Sequence, residues 1–169
     1  MKEELQFKWT VTDMGEPQKI IGIEITKSDE SIIILREKYI KNILRREGML
    51  DVNPISTPMD LNNKINPNPD GNEGSRSNSY AKLLGELQFL TNATRPDITY
   101  AVNKLSAYIA NPSLQHVGAA KRILRYLKGT KNLAINIWQK LLCNNKTRIH
   151  FMAMQTLQTL HMLIWMIIN

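Results

Sequence analysis

Apolar residues recur at helical spacing in three consecutive segments between Ser79 and Thr130. In the first, Tyr80, Leu83, Leu84, Leu87 and Leu90 share one face, and Ser79 stands where an N-cap is expected. The second opens at Arg95-Pro96-Asp97, where proline's fixed φ and missing N–H suit a first helical turn. Its apolar side is Ile98, Val102, Leu105 and Ile109. The third opens at Asn111-Pro112-Ser113 and closes at Gly129, with Leu114, Val117, Leu124 and Leu127 set against a separate basic side. Connections this short predict an antiparallel three-helix unit.

Upstream the period changes. Lys19 to Ile25 reads as one strand with Ile21, Ile23 and Ile25 on a common face. Lys27-Ser28-Asp29-Glu30 turns it into a second strand, Ser31 to Leu35. Arg36 to Arg46 is predicted helical, with Tyr39, Ile40, Ile43 and Leu44 apolar and Gly48 at its end. Residues 1–9 read as the end of a helix, and Asp13 to Pro17 as a turn. Residues 51–78 form a linker, of which Asn62 to Asn78, rich in Asn, Pro, Gly and Ser, is expected to be mobile. The predicted fold is α+β and mostly helical: an N-terminal hairpin and helix (1–50), the linker (51–78), the helical unit (79–135) and an irregular tail (136–169). There is no internal repeat.

Charge divides the chain. Residues 1–97 carry all 15 carboxylates against 13 Lys and Arg, while residues 98–169 carry 9 basic residues and no acid. A basic half of this kind favours a polyanionic partner, though a solvated basic helix with an abnormal tail would give the same count. The single Cys143 forms no internal disulfide and fits a reducing, intracellular compartment. The first residues lack the apolar stretch of a signal peptide, and no apolar run approaches the roughly 20 residues of a membrane span.

The helical stretch resembles the copia-type reverse transcriptase of retrotransposon Pol polyproteins, in the segment between polymerase and ribonuclease H. The resemblance rests on Tyr80, Gly85, Leu87, Phe89 and Leu90, then Thr94-Arg95-Pro96-Asp97-Ile98, Ala101-Val102, Leu105-Ser106 and Tyr108. It continues through Asn111-Pro112, His116 and the run Ile123 to Thr130. Earlier matches are Thr12 to Pro17, Ile21-Gly22-Ile23-Glu24-Ile25, Glu37-Lys38-Tyr39-Ile40 with Ile43-Leu44, and Pro54 to Met59. The resemblance implies that residues 1–50 are the end of a palm and that residues 79–135 are thumb-like or connection-like. It also implies that Ile21, Gly22 and Ile23 lie in a primer-grip-like hairpin. Read alone, Gly22 marks a bulge or a packing site. Thr94, Arg95, Pro96 and Asp97 are expected to be structural.

Nucleotidyl transfer in that family needs carboxylates around paired Mg²⁺ ions. This chain has no Asp-Asp pair, and its Asp residues fall mostly in turns or at a helix start. It is expected to begin downstream of the catalytic hairpin, to hold no cofactor and to catalyse nothing. Asp97 reads as a charge favouring a helix N-terminus, or as a partner of Arg95. His116 reads as a surface or capping residue. Cys143, His116, His150 and His161 form no metal-ligand pattern.

The candidate binding residues are Lys121, Arg122, Arg125, Lys128 and Lys131. Lys121, Arg125 and Lys128 share a stripe that can follow phosphates of an RNA/DNA template–primer without reading bases. The same cations would also favour a helix C-terminus. Tyr126 is a packing or surface residue, with base stacking the other reading. Past Ile135 the resemblance stops. Reading Phe151 to Thr156 two bases out of phase permits His-Gly-Tyr-Ala-Asp, close to the family's ribonuclease H strand, so a frameshift near residue 150 is inferred. The expected partners are a template–primer and the rest of a Pol polyprotein, with no membrane and no small-molecule substrate. The alternatives are a helical protein-interaction module and a non-functional remnant.

Overall fold

The computed structural model describes residues 15, 17–28, 31–60, 62, 65–68 and 74–138. The N-terminal helix expected at residues 1–9, most of the 13–17 turn, and the tail beyond 138 with its frameshift lie outside the described residues. Four strands, β1 (Lys19–Ile20), β2 (Ile23–Lys27), β3 (Ser31–Leu35) and β4 (Ile135–Trp138), form an antiparallel sheet in the order β1-β2-β3-β4. Among the described residues four α-helices accompany it: α1 (Glu37–Arg46), α2 (Gly74–Thr91), α3 (Thr99–Ser106) and α4 (Leu114–Gly129). A 3₁₀ turn, Pro96–Ile98, leads into α3. The architecture is α+β, as the residue pattern predicts.

The strand expected over Lys19 to Ile25 is instead a two-residue hairpin. Ile20 pairs with Ile23, and Ile21 and Gly22 between them adopt φ of 48° and 75°. Positive φ at both central residues is the type I′ geometry, whose twist matches that of the flanking strands. Glycine takes this conformation freely, but a β-branched residue does not. Ile21 therefore sits strained at the tip, 72% exposed, while Ile23 and Ile25 are buried. The common face predicted for all three is corrected: strict alternation fails because the turn residues belong to neither strand.

The register Ile25↔Ile34↔Ile135, with Ile32↔Ile137, gathers isoleucines of β2, β3 and β4 on one face. Ile23, Ile25, Ile32, Ile34 and Ala93 form this smaller core. Residues 135–138 thus form an ordered strand, which corrects the expectation of an irregular tail from residue 136.

The larger core lies between the helices. α1 gives Ile40, Ile43 and Leu44; α2 gives Tyr80, Leu83, Leu84, Leu87 and Leu90. α3 adds Ala101, Val102 and Leu105, and α4 adds Ala120, Ile123, Leu124 and Leu127. Their i, i+3 and i+4 spacing makes each helix half apolar, which is why four helices close on one another. α1 ends where Gly48 takes φ 64° and the Met49 N–H returns to the Leu44 carbonyl at 2.8 Å, tucking Met49 onto the core.

Several edges differ from the pattern. α2 begins at Gly74, so Ser79 lies inside the helix and caps nothing. A helix anchored by its packed part extends through polar residues at low cost. Ile109 lies past the end of α3 and Leu114 is exposed, while Ile123 and His116 take the inward positions on α4. The described parts of the linker pack against the helices, both upstream of the stretch expected to be mobile and, at residues 65–68, within it. Val52, Met59 and Ile65 rest against the helical core. The Tyr108 hydroxyl donates to the Ile65 carbonyl at 3.2 Å, and Asn68 and Asn111 hydrogen-bond each other. Composition does not foresee this, because the contacts are made to residues more than forty positions away.

Candidate nucleic-acid interface

Arg95 anchors the base of α4. Its guanidinium is 2% exposed and meets Asp97 in a fork, Nε to Oδ1 at 3.0 Å and a terminal nitrogen to Oδ2 at 2.7 Å. Further N–H groups donate to the Thr130 carbonyl at 2.9 Å and its hydroxyl at 2.7 Å. Tyr126 donates to Asp97 at 2.8 Å and lies under the guanidinium. One residue therefore ties the start of the 3₁₀ turn to a carbonyl at the end of α4. Burial raises the Asp97 pKa, but hydrogen bonds from Arg95 and Tyr126 together with the Arg95 charge outweigh it and hold the carboxyl below its ordinary value. Tyr126 is thus a packing residue of this network.

Among the described residues no three His, Cys, Asp or Glu side chains group together, and Asp97 already accepts from Arg95 and Tyr126.

His116 is fully buried at the other end of α4. The Ser113 backbone N–H donates to its Nδ1 at 2.8 Å, which fixes the neutral tautomer with the proton on Nε2. Ser113 and His116 form a capping box, with histidine in the place usually held by Glu or Gln. The ring stacks on Tyr108 at 4.2 Å. Burial pushes its pKa down, opposed by the Asn66 backbone. The expected surface position is corrected to a buried one, and its capping role holds.

Lys121, Arg122, Arg125 and Lys128 lie along α4, but the Val52–Pro58 segment runs across them as a strap. Arg122 donates to the Thr57 hydroxyl at 2.9 Å, Arg125 Nε to the Asn53 carbonyl at 2.8 Å, and Lys128 to the Val52 carbonyl at 2.6 Å. Pro54 Cβ approaches the position a Gly129 side chain would take to 3.0 Å, so a side chain there would push the strap back by a few tenths of an ångström. Lys121 is exposed. Lys131, past the helix, stands close enough to Glu37 to help lower that carboxyl's pKa, behind the larger effect of its Lys41 hydrogen bond. The strap leaves terminal N–H groups of Arg125 and two protons of Lys128 for other acceptors.

The hairpin tip carrying Ile21, Gly22 and Ile23 is joined to α2 by Arg36, which the sequence reading passed over. Arg36 is buried and donates to the Phe89 carbonyl at 2.8 Å and the Ile21 carbonyl at 3.3 Å. Its guanidinium lies 3.9 Å from the Phe89 ring centre, and burial lowers its pKa. A side chain at Gly22 would meet nothing within 4 Å, so φ, not close backbone approach, explains the glycine. No local signal marks Arg36 or the strap, because both act across long sequence separations.

The chain is 36% identical over 133 residues to a retrovirus-related Pol polyprotein from transposon RE1 of Arabidopsis thaliana, a match covering 79% of the chain and 9% of the relative. It is 34% identical over 137 residues to the corresponding polyprotein from transposon TNT 1-94 of Nicotiana tabacum, covering 77% and 10%. The chain belongs to the retrovirus-related Pol polyproteins of copia-type transposons. It is also 35% identical over 127 residues to an uncharacterized mitochondrial protein of Arabidopsis thaliana, AtMg00810, covering 75% of the chain and 52% of that protein. The chain spans about a tenth of the two polyproteins and about half of the third relative. No family model and no solved structure matches. Among the described residues no helix of this Pol region is long and apolar enough to cross a membrane.

Proposed function

We propose that this Pol region is the part of a reverse transcriptase that follows the catalytic carboxylates, and that it holds template–primer without performing polymerisation. In this reading the hairpin and α1 end the palm, α2 to α4 are thumb-like, and Ile21-Gly22-Ile23 is the primer-facing tip. It needs no metal of its own and works inside the cell beside the rest of a Pol polyprotein. The carrying observation is the cationic face of α4, where Lys121 is exposed and Arg125 and Lys128 keep donors beyond those the strap uses.

The test is RNA–DNA hybrid binding by the purified chain across a salt series, with circular dichroism on the same samples. Binding should weaken steeply with salt, and Lys121→Ala with Arg125→Ala should lower the logarithmic salt slope by about 2, near 0.9 per lost phosphate contact. A folded, helical chain whose binding is indifferent to salt overturns this reading. That outcome would favour docking to protein through exposed Tyr100 and Leu114.

A further inference from the structure

Between the strap and α4 lies a half-open cleft of about 500 Å³, a size typical of small-ligand sites. Met49, Met59 and Ile65, before and after the strap in sequence, supply apolar surface opposite α4. Gly118 and Ala119 form the facing wall, and their small size is what opens the cleft: a Cβ at Gly118 would meet nothing within 4 Å. Lys121, Arg122 and Arg125 stand on its edge, against one carboxylate, Asp60, which accepts the Asn62 backbone N–H at 3.0 Å. Arg122 Nε is buried without a hydrogen-bond partner among the described residues, although a terminal nitrogen of the same guanidinium is held by Thr57.

Apolar walls beside an excess of cations call for an amphipathic anion. A duplex offers phosphates but keeps its bases stacked and paired inside. An unpaired nucleotide offers a phosphate and a flat, weakly polar base together. Methionine thioethers suit such a face because they are polarizable and adaptable.

We infer that the cleft receives an unpaired nucleotide of a single strand, its base between Met49, Met59 and the Gly118–Ala119 wall and its phosphate on Lys121 and Arg125. This rests on the proposed nucleic-acid contact and makes it more specific: α4 grips a single-stranded segment at this point rather than only the backbone of a duplex.

Gly118→Leu fills the cleft, removes no cation and places its side chain in open space, so the helix should be retained. Binding of fluorescein-labelled oligo-dT and of RNA–DNA hybrid is compared at one salt concentration by anisotropy, with circular dichroism as the check on folding. Gly118→Leu should weaken oligo-dT about tenfold, the range of losing one stacked base, and leave the hybrid unchanged. With the unaltered chain, adenosine monophosphate should displace oligo-dT at concentrations where inorganic phosphate does not, a readout that needs no variant. Equal oligo-dT binding by Gly118→Leu, equal weakening of both probes, or equal competition by phosphate and nucleotide overturns the inference while leaving hybrid binding standing. Absence of binding to either probe overturns the proposed function as well.

Discussion

The helical core takes residues from α1, α2, α3 and α4, while the sheet core is four isoleucines of β2 and β3 with Ala93. Each helix closes its own backbone hydrogen bonds and brings its own apolar face, so the larger core depends on packing of preformed patterns. The sheet face exists only once β2, β3 and β4 are paired, and β4 comes a hundred residues after β3. Two buried arginines show the same contrast. Arg95, within the helical body, has a carboxylate partner; Arg36, at the joint with the sheet, has two carbonyls and two rings. The helical body is therefore internally closed, and the hairpin is attached to it through few groups.

The largest expected effect tests the helical core. Leu124→Ala, at a fully buried site, should cost about 3–4 kcal/mol in urea unfolding, and Ile34→Val about 1 kcal/mol. Next, Arg95→Met should cost about 3 kcal/mol, because it strands a partly buried Asp97 and frees the end of α4. Arg36→Met should cost only about 1 kcal/mol, since no carboxylate is orphaned and the Ile21 carbonyl is at an exposed turn. Its mark should instead be faster amide exchange in β2 and β3 with α2 to α4 still protected. Equal acceleration in both regions would break the distinction drawn between them.

His116 gives the comparison a pH axis. Its folded pKa is lowered, so the unfolded chain binds a proton that the fold refuses. Stability is then full above an unfolded histidine value of about 6.5 and falls as pH drops below it. Asp97 adds a second loss at lower pH, beginning near the ordinary carboxylate value of about 3.9. His116→Gln retains a capping-box residue, should cost about 1 kcal/mol at neutral pH through the lost Tyr108 stack, and should flatten the melting temperature between pH 7 and 5 at about those bounds. A variant with the wild-type slope would remove His116 as its source. Smallest, Ile21→Asn should stabilise by about 1 kcal/mol in urea unfolding by relieving positive φ at the exposed tip.

The sequence by itself determined the helices, because Leu83, Leu84, Leu87 and Leu90 or Leu124 and Leu127 announce their face at helical spacing, and helical hydrogen bonds are local. It also determined the family, since Thr94 to Ile98 and Ile123 to Thr130 keep their types and spacing. Tertiary structure decided the rest. It broke Lys19 to Ile25 at a strained turn, laid part of the predicted linker across α4 as a strap, and turned His116 inward. It also gave Arg122, Arg125 and Lys128 internal partners and left a cleft beside them. Each of these depends on groups dozens of residues apart, and a one-dimensional pattern carries no term for the free energy of bringing them together.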